Sequence, residues 1–456
     1  MLISSKETEI LNKRISSSYI TYCSGLFLSA RWFVISQLVD KGIHLVILPT
    51  KEAAEYCTSD FYNLIEGDKV FFLPDSGKNI EKSNYKSSLS VQRTASIGKL
   101  ISYKEGEQLI IISYPEALSE LIPAGKEISN SIIRIKKGQD IDYESFRNTL
   151  AESGFEKADF VSAPGQYALR GSVIDIFSYS YNNPFRLSLF GNEVEKIHIF
   201  DCNTQLSISE EDEIEIYPDL SAVSEEVTSV FNIIPKDTLL WLDSSDMYKE
   251  KEFYPYTENF RRVFLEVPIS GCDQEPVKFN ITPQPVFNKN FELLTADIKS
   301  KIESGYKVCI FGEKEAQIER INNIIIAGGG IIPEFIKGKN IHNGFIDNSD
   351  KICCYSDHEI FDRFHRVVIR RTVDKNEQLT LNDISAFNIG DYIVHIDHGV
   401  GVFGGLVRMR DDKGRMHEVV KLMYKDGDVV FVSVHSLHKI SRYKSKDSEP
   451  PKIHKL

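Results

Sequence analysis

Gly390-Asp391-Tyr392-Ile393-Val394-His395-Ile396-Asp397-His398-Gly399-Val400-Gly401 sets a short apolar run between glycine- and aspartate-bearing turns, and the residues after it keep that rhythm. Asp411-Asp412-Lys413-Gly414 and Asp426-Gly427-Asp428 split the apolar runs that follow. Asp-Gly type turns between alternating segments predict hairpins. Strands are expected at about 391–395, 402–410, 416–424 and 429–434, with a possible closing piece. Five such strands suffice for a small closed barrel. A barrel of this size has no room for a buried active site, so this end of the chain reads as a surface for another macromolecule.

The texture is different upstream. Ile43–Leu48, Val70–Leu73 and Leu109–Ser113 read as buried strands, with helical spacing over Lys51–Leu64 and Pro115–Leu121. Strands separated by helices imply a parallel sheet. Residues 1–20 look like a polar leading helix, and a helix past Ile141 carries Phe146, Leu150 and Phe155. Residues 160–200 are then almost all strand and turn: Tyr167–Arg170, Ser172–Phe177, Phe185–Phe190 and Val194–Phe200. This predicts an antiparallel meander inserted into an α/β context.

Mixed strands return at 213–285, among them buried Thr238–Leu242, and an internal echo follows. Gly305–Ile310 leading to Lys314-Glu315-Ala316 repeats the spacing of Gly42–Ile47 leading to Lys51-Glu52-Ala53. Either a second small α/β domain or a chance likeness of two strand–loop–helix units accounts for it.

The expected fold class is therefore α/β multidomain. An α/β domain spans 1–145 and resumes at 213–286, an antiparallel β module is inserted at 146–212, and a small α/β domain covers 287–370. A linker at 371–385 leads to an SH3/Tudor-like barrel at 386–456.

Composition narrows the function. A chain of 456 residues needs several cores. A net charge of −12 argues against unassisted DNA binding, because phosphate contacts need a basic surface. No membrane-spanning run and no cleavable leader is visible, so a soluble cytoplasmic protein is expected. The 7 cysteines lack Cys-x-x-Cys spacing, which disfavours a disulfide framework or a zinc site. Cys353 and Cys354 read as buried strand thiols.

An α/β start invites a phosphate-loop reading at Ser24–Trp32. Such a loop needs glycines for close backbone approach, a lysine for phosphate and a Ser/Thr for magnesium. Here Gly25 is the single glycine, and Ser29, Ala30 and Arg31 stand where the working residues would be. Asp212-Glu213 and Asp357-His358-Glu359 do not supply the magnesium carboxylate; Asp357 reads as a helix cap. His395 and His398 lack a metal-site context, and no Ser or Cys sits in a nucleophile elbow. No catalytic residue, cofactor or metal is expected.

What remains is recognition. Arg170 ends a strand, so its side chain can reach out, and Arg186 and Phe190 share a strand face by their spacing. Arginine with an aromatic is a common interface composition; the alternative is a core Phe190 with solvated arginines. In the barrel, Leu406, Met409, Val419 and Met423 are candidate exposed apolar positions, with burial in the barrel core as the alternative. Gly404-Gly405 permits a bulge in that strand.

Ala163-Pro164-Gly165-Gln166-Tyr167-Ala168-Leu169-Arg170-Gly171-Ser172-Val173-Ile174-Asp175-Ile176-Phe177 and Pro184-Phe185-Arg186-Leu187-Ser188-Leu189-Phe190-Gly191-Asn192-Glu193-Val194-Glu195 resemble the UvrA-binding module shared by the repair helicase UvrB and the bacterial transcription-repair coupling factors. Gly390–His395 with His398–Gly401 resembles the CarD-like domain that contacts RNA polymerase. Among these families, the coupling factors join both in this order. The resemblance implies a UvrB-like first domain with a decayed phosphate loop. It implies UvrA contact through Arg170, Arg186 and Phe190, and contact with the RNA polymerase β subunit through Met409. It also implies an N-terminal fragment of a longer, ATP-driven DNA translocase. DNA would be engaged only through that missing motor, and a missing C-terminal domain would otherwise cover the UvrA surface. A two-ended adaptor without catalysis is the leading expectation. An ATP-dependent enzyme of the UvrB type and a CarD-like transcription regulator are the alternatives.

Overall fold

The computed structural model describes residues 3–442 apart from 67, 78–82, 182, 203–204, 221–225, 245, 270, 273, 363–386, 388, 396–398, 411–415 and 434–439. The expected linker at 371–385 and the tail at 450–456 lie outside the described residues. The chain forms two compact units, one made of Met1–Ser76, Ala95–Ile128 and Leu220–Arg370, the other of Gly77–Thr94, Ser129–Asp219 and Arg371–Leu456.

In the first unit, seven strands form an all-parallel sheet, in the order Val277–Lys278, Ile20–Ser24, Arg261–Phe264, Leu239–Leu242, Gly42–Ile47, Gln108–Ser113 and Val70–Phe72. Leu239–Leu242 lies at its centre and is buried throughout, as its continuous apolar run requires. The helix Lys51–Leu64 starts where expected, because the Thr50 hydroxyl accepts from the Ala53 N–H and closes its first turn. Ala54, Cys57 and Phe61 form its buried stripe.

A second sheet in the same unit orders Ile281–Pro283, Phe345–Asp347, Ile352–Ser356, Lys307–Gly312 and Glu334–Lys337. The echo is structural: Gly42 and Gly305 both adopt φ near +82°, and each precedes a strand, a loop and a helix, the second helix being Glu315–Ala327. The helix Ala30–Leu38 joins the two sheets, its Phe33 ring meeting Phe345 at 5.3 Å and Phe311 at 5.9 Å. Asp357 is the first residue of its short helix, and Ser356 takes the cap position that the sequence suggested for Asp357.

In the second unit, the meander is a six-stranded sheet in chain order, Glu156–Lys157, Gln166–Arg170, Val173–Phe177, Phe185–Phe190, Glu193–Phe200 and Ser207–Glu211. Only its first pair is parallel. Strands Ile133–Lys136 and Glu213–Ile216 pair with each other and pack Ile135, Ile214 and Ile216 into the same core. This pair flanks the expected range 146–212 on both sides.

The C-terminal sheet is antiparallel, ordered Val429–Ser433, Met416–Met423, Gly399–Arg410, Tyr392–His395 and Ile440–Arg442. It curls around Ile393, Phe403, Val420, Leu422 and Val432. The described residues form a curled sheet, and among them no ladder joins its two outer strands. The register shifts between Phe403 and Leu406, a bulge at Gly404-Gly405 where Gly405 takes φ +95°.

Candidate functional site

Among the described residues of the inserted module, Phe190, Leu206 and Ile208 are large apolar side chains that its core leaves exposed, and Phe190 is the barest. The strand Phe185–Phe190 alternates strictly, burying Phe185, Leu187 and Leu189 and turning Arg186, Ser188 and Phe190 the other way. Phe190 ends that strand at the mouth of a tight turn and is 79% exposed, which removes the core alternative. Gly191 makes the turn at φ +62°, and Gly171 makes the preceding hairpin at the same angle. No neighbouring atom crowds either glycine, so it is the backbone angle that requires them.

Asp175 organises the arginines, and the sequence reading missed it. It sits in Val173–Phe177, directly opposite Arg186 on one side and Ala168 on the other. Its side chain is only 1% exposed. Arg186 grips it with two prongs, Nε to Oδ1 at 2.7 Å and Nη2 to Oδ2 at 2.9 Å. Arg170 reaches the same carboxylate through Nη2. Arg170 was expected to extend outward from its strand end; it turns back across the sheet instead, because a buried carboxylate must find a partner.

Each guanidinium also rests on a ring. Arg186 Cζ lies 4.0 Å from the centre of Phe200, and Arg170 Cζ lies 4.7 Å from that of Phe160. Arg186 Nη2 donates further to Gln205 Oε1 at 2.8 Å. Arg170 Nε has no hydrogen-bond partner among the described residues, so Arg170 is the less tightly held of the two. Two guanidinium groups thus share one carboxylate. A lone acidic residue inside the apolar run Val173–Phe177, one register step from an arginine strand, was the available signal.

The loop Gly25–Arg31 is closed by contacts within the fold. Gly25, at φ +70°, packs so tightly on the Phe279 carbonyl that a Cβ would lie 2.3 Å from its oxygen. Ser29 Oγ donates to Asp60 Oδ2 at 2.6 Å and accepts from the Asn343 N–H at 2.9 Å. The His342 N–H donates to Asp60 Oδ1 at 2.7 Å. Ala30 is buried at the first turn of its helix.

Arg31 Nη1 donates to Asp243 Oδ1 at 2.6 Å and its guanidinium lies 4.7 Å from the Trp32 ring centre. Asp243 follows the central strand Leu239–Leu242, so a carboxylate does stand beyond an apolar strand. The sequence reading looked for it at 212–213 and 357–359. The ion pair with Arg31 occupies it. Burial pushes the Asp243 carboxyl up against the pull of Arg31. Burial likewise pushes Asp60 up to about 7, against the hydrogen bonds of Ser29 and the His342 N–H and the charge of Arg31. Among the described residues no group of three or more His, Cys, Asp or Glu is placed to hold a metal.

In the curled sheet, Leu406 and Met409 are exposed at 39% and 37%. Val419 is buried, at 4%, and is not the exposed position expected of it. Val420 beside it is buried too. Met423 is half-buried. Ile389, Val429 and Phe431 are exposed apolar residues that the sequence reading did not select. Phe431 lies on an outer strand opposite Lys421, where alternation alone does not separate a covered from a bare face.

Two family models match the chain. Residues 133–221 match the UvrB interaction domain, and residues 387–444 match the CarD-like/TRCF RID domain. The chain is 21% identical to the transcription-repair-coupling factor of Staphylococcus haemolyticus and 21% identical to that of Bacillus subtilis, in each case over 95% of its own length. It spans 46% of the length of each of these relatives. The resemblance carried by the two motif blocks therefore extends along nearly the whole chain. No described helix is long and apolar enough to cross a membrane.

Proposed function

We propose that this chain is the adaptor portion of a transcription-repair coupling factor, holding UvrA through the inserted module and the RNA polymerase β subunit through the curled sheet. The observation that carries the reading is the face formed by Arg170, Arg186 and bare Phe190, within a segment that matches a UvrB interaction domain. An exposed aromatic beside partly covered arginines is the make-up of an interface anchor. The paired guanidinium groups suit an acidic partner surface and set register more than they add affinity. On the second arm, Met409 and Leu406 offer apolar contact within the CarD-like/TRCF RID match.

The chain itself carries out no catalysis in this reading. Arg31 and Asp243 satisfy each other where a nucleotide and its metal would be held, which counts against the UvrB-type enzyme. The translocating motor would belong to the part of the longer relatives that this chain does not span, and DNA would be engaged there.

The test is a calorimetric titration of UvrA with the wild-type chain and with an Arg170→Glu/Arg186→Glu variant. The reading expects tight binding by the wild type and almost none by the variant. A variant that binds like wild type would remove the module from the interface.

A further inference from the structure

The two arginines assigned to the interface share one buried carboxylate that a partner cannot reach. Asp175 forms ion pairs with both, and among the described residues it is the only acidic side chain that does. Both guanidinium groups are also backed by a ring, Phe160 or Phe200. Either arginine without this hold would be a long side chain with many rotamers, and binding would have to order it. The fork of a guanidinium gives two-point contact with a carboxylate, which an ammonium cannot reproduce.

We propose that Asp175 is the positioning residue of this binding face, fixing Arg170 and Arg186 side by side before the partner arrives. It acts through the arginines and touches no partner atom. The inference rests on the UvrA reading above and deepens it. The sheet register places Asp175 opposite Arg186 and within reach of Arg170 across the hairpin, so one side chain presets both.

The experiment is a UvrA titration of the wild-type chain, Asp175→Asn, Arg186→Ala and the Asp175→Asn/Arg186→Ala double variant, with a thermal melt of each. Asp175→Asn is expected to weaken binding at least about tenfold while both arginines remain. In the Arg186→Ala background the same substitution should cost clearly less, because one of its two clients is gone. A purely structural role would give the same fold-loss in both backgrounds, and that additivity would overturn the proposal. So would wild-type affinity for Asp175→Asn.

Should Asp175→Asn fail to fold, Arg186→Lys decides. It keeps the charge but loses the two-point hold, and a loss close to that of Arg186→Ala supports the proposal, whereas binding like wild type overturns it. A wild-type chain that does not bind UvrA overturns the partner reading and this inference together. A binding wild type with a silent Asp175→Asn overturns the inference alone.

Discussion

Arg31 and the pair Arg170 and Arg186 use the same chemistry to opposite ends. Each is held by a buried aspartate and laid against an aromatic ring. Around Arg31 one cation faces two carboxylates, Asp243 in an ion pair and Asp60 held by Ser29 and the His342 N–H, with the Asn343 N–H on Ser29. That site is satisfied from within and has nothing left to offer. On the inserted module the ratio is two cations to one carboxylate, with Phe190 bare beside them. That site is ordered but unfinished. The two sites differ in how many guanidinium groups share the ion-paired aspartate and in the bare Phe190 ring of the second.

The comparison breaks most visibly under charge reversal. Arg170→Glu/Arg186→Glu should abolish UvrA binding, since each disrupted charge contact at an interface costs about 2–5 kcal/mol. Arg31→Ala should leave UvrA affinity unchanged and instead lower stability by about 3 kcal/mol, because Asp243 would be buried without a partner. Urea denaturation reads that loss. Removing both charges with Arg31→Met/Asp243→Leu should restore most of it, as apolar replacement of a buried pair often does. A cost that persists in the double variant would mean that the pair still does something beyond satisfying itself.

Phe190→Ala should weaken UvrA binding by about 2 kcal/mol with no change in melting temperature, because the ring packs on little of its own domain. A fall in melting temperature would return Phe190 to the core.

The smallest effect is a pH slope. Burial holds the Asp60 proton up to about pH 7, against an ordinary value of 3.8. Folded protein then binds a proton that the unfolded chain has released, so this stabilising contribution is full at low pH and disappears as pH rises through about 7. His44, pushed down to about 4 by burial, works in the opposite sense and favours folding above its ordinary 6.5. Asp60→Asn should therefore remove the falling component of the stability profile between about pH 4 and 7, which denaturation at a series of pH values can follow. An unchanged profile would show that Asp60 is ionised in the closed site.

Local pattern was readable in the sequence wherever the physics is local. Period-2 alternation set Arg186 and Phe190 on one face, and helical spacing marked the helix Lys51–Leu64. The two aspartates that decide the comparison were not readable in this way. Asp243 lies 212 positions from Arg31, and only the order of the parallel sheet brings them together. Asp175 is close in the chain to Arg170, but its meaning depends on cross-strand register with Arg186. In the curled sheet the strands are short enough to count from turns, yet the covering of Val419 does not follow from alternation, because it depends on what packs against that face.

The proposed reading gives this chain two separate binding surfaces, one for UvrA and one for the RNA polymerase β subunit. Analytical ultracentrifugation of the wild-type chain mixed with UvrA and the RNA polymerase β subunit tests it most directly. The account predicts a single species containing all three, reduced to the β-subunit complex alone by Arg170→Glu/Arg186→Glu. Binary complexes that exclude each other, or a ternary species indifferent to that variant, would contradict it.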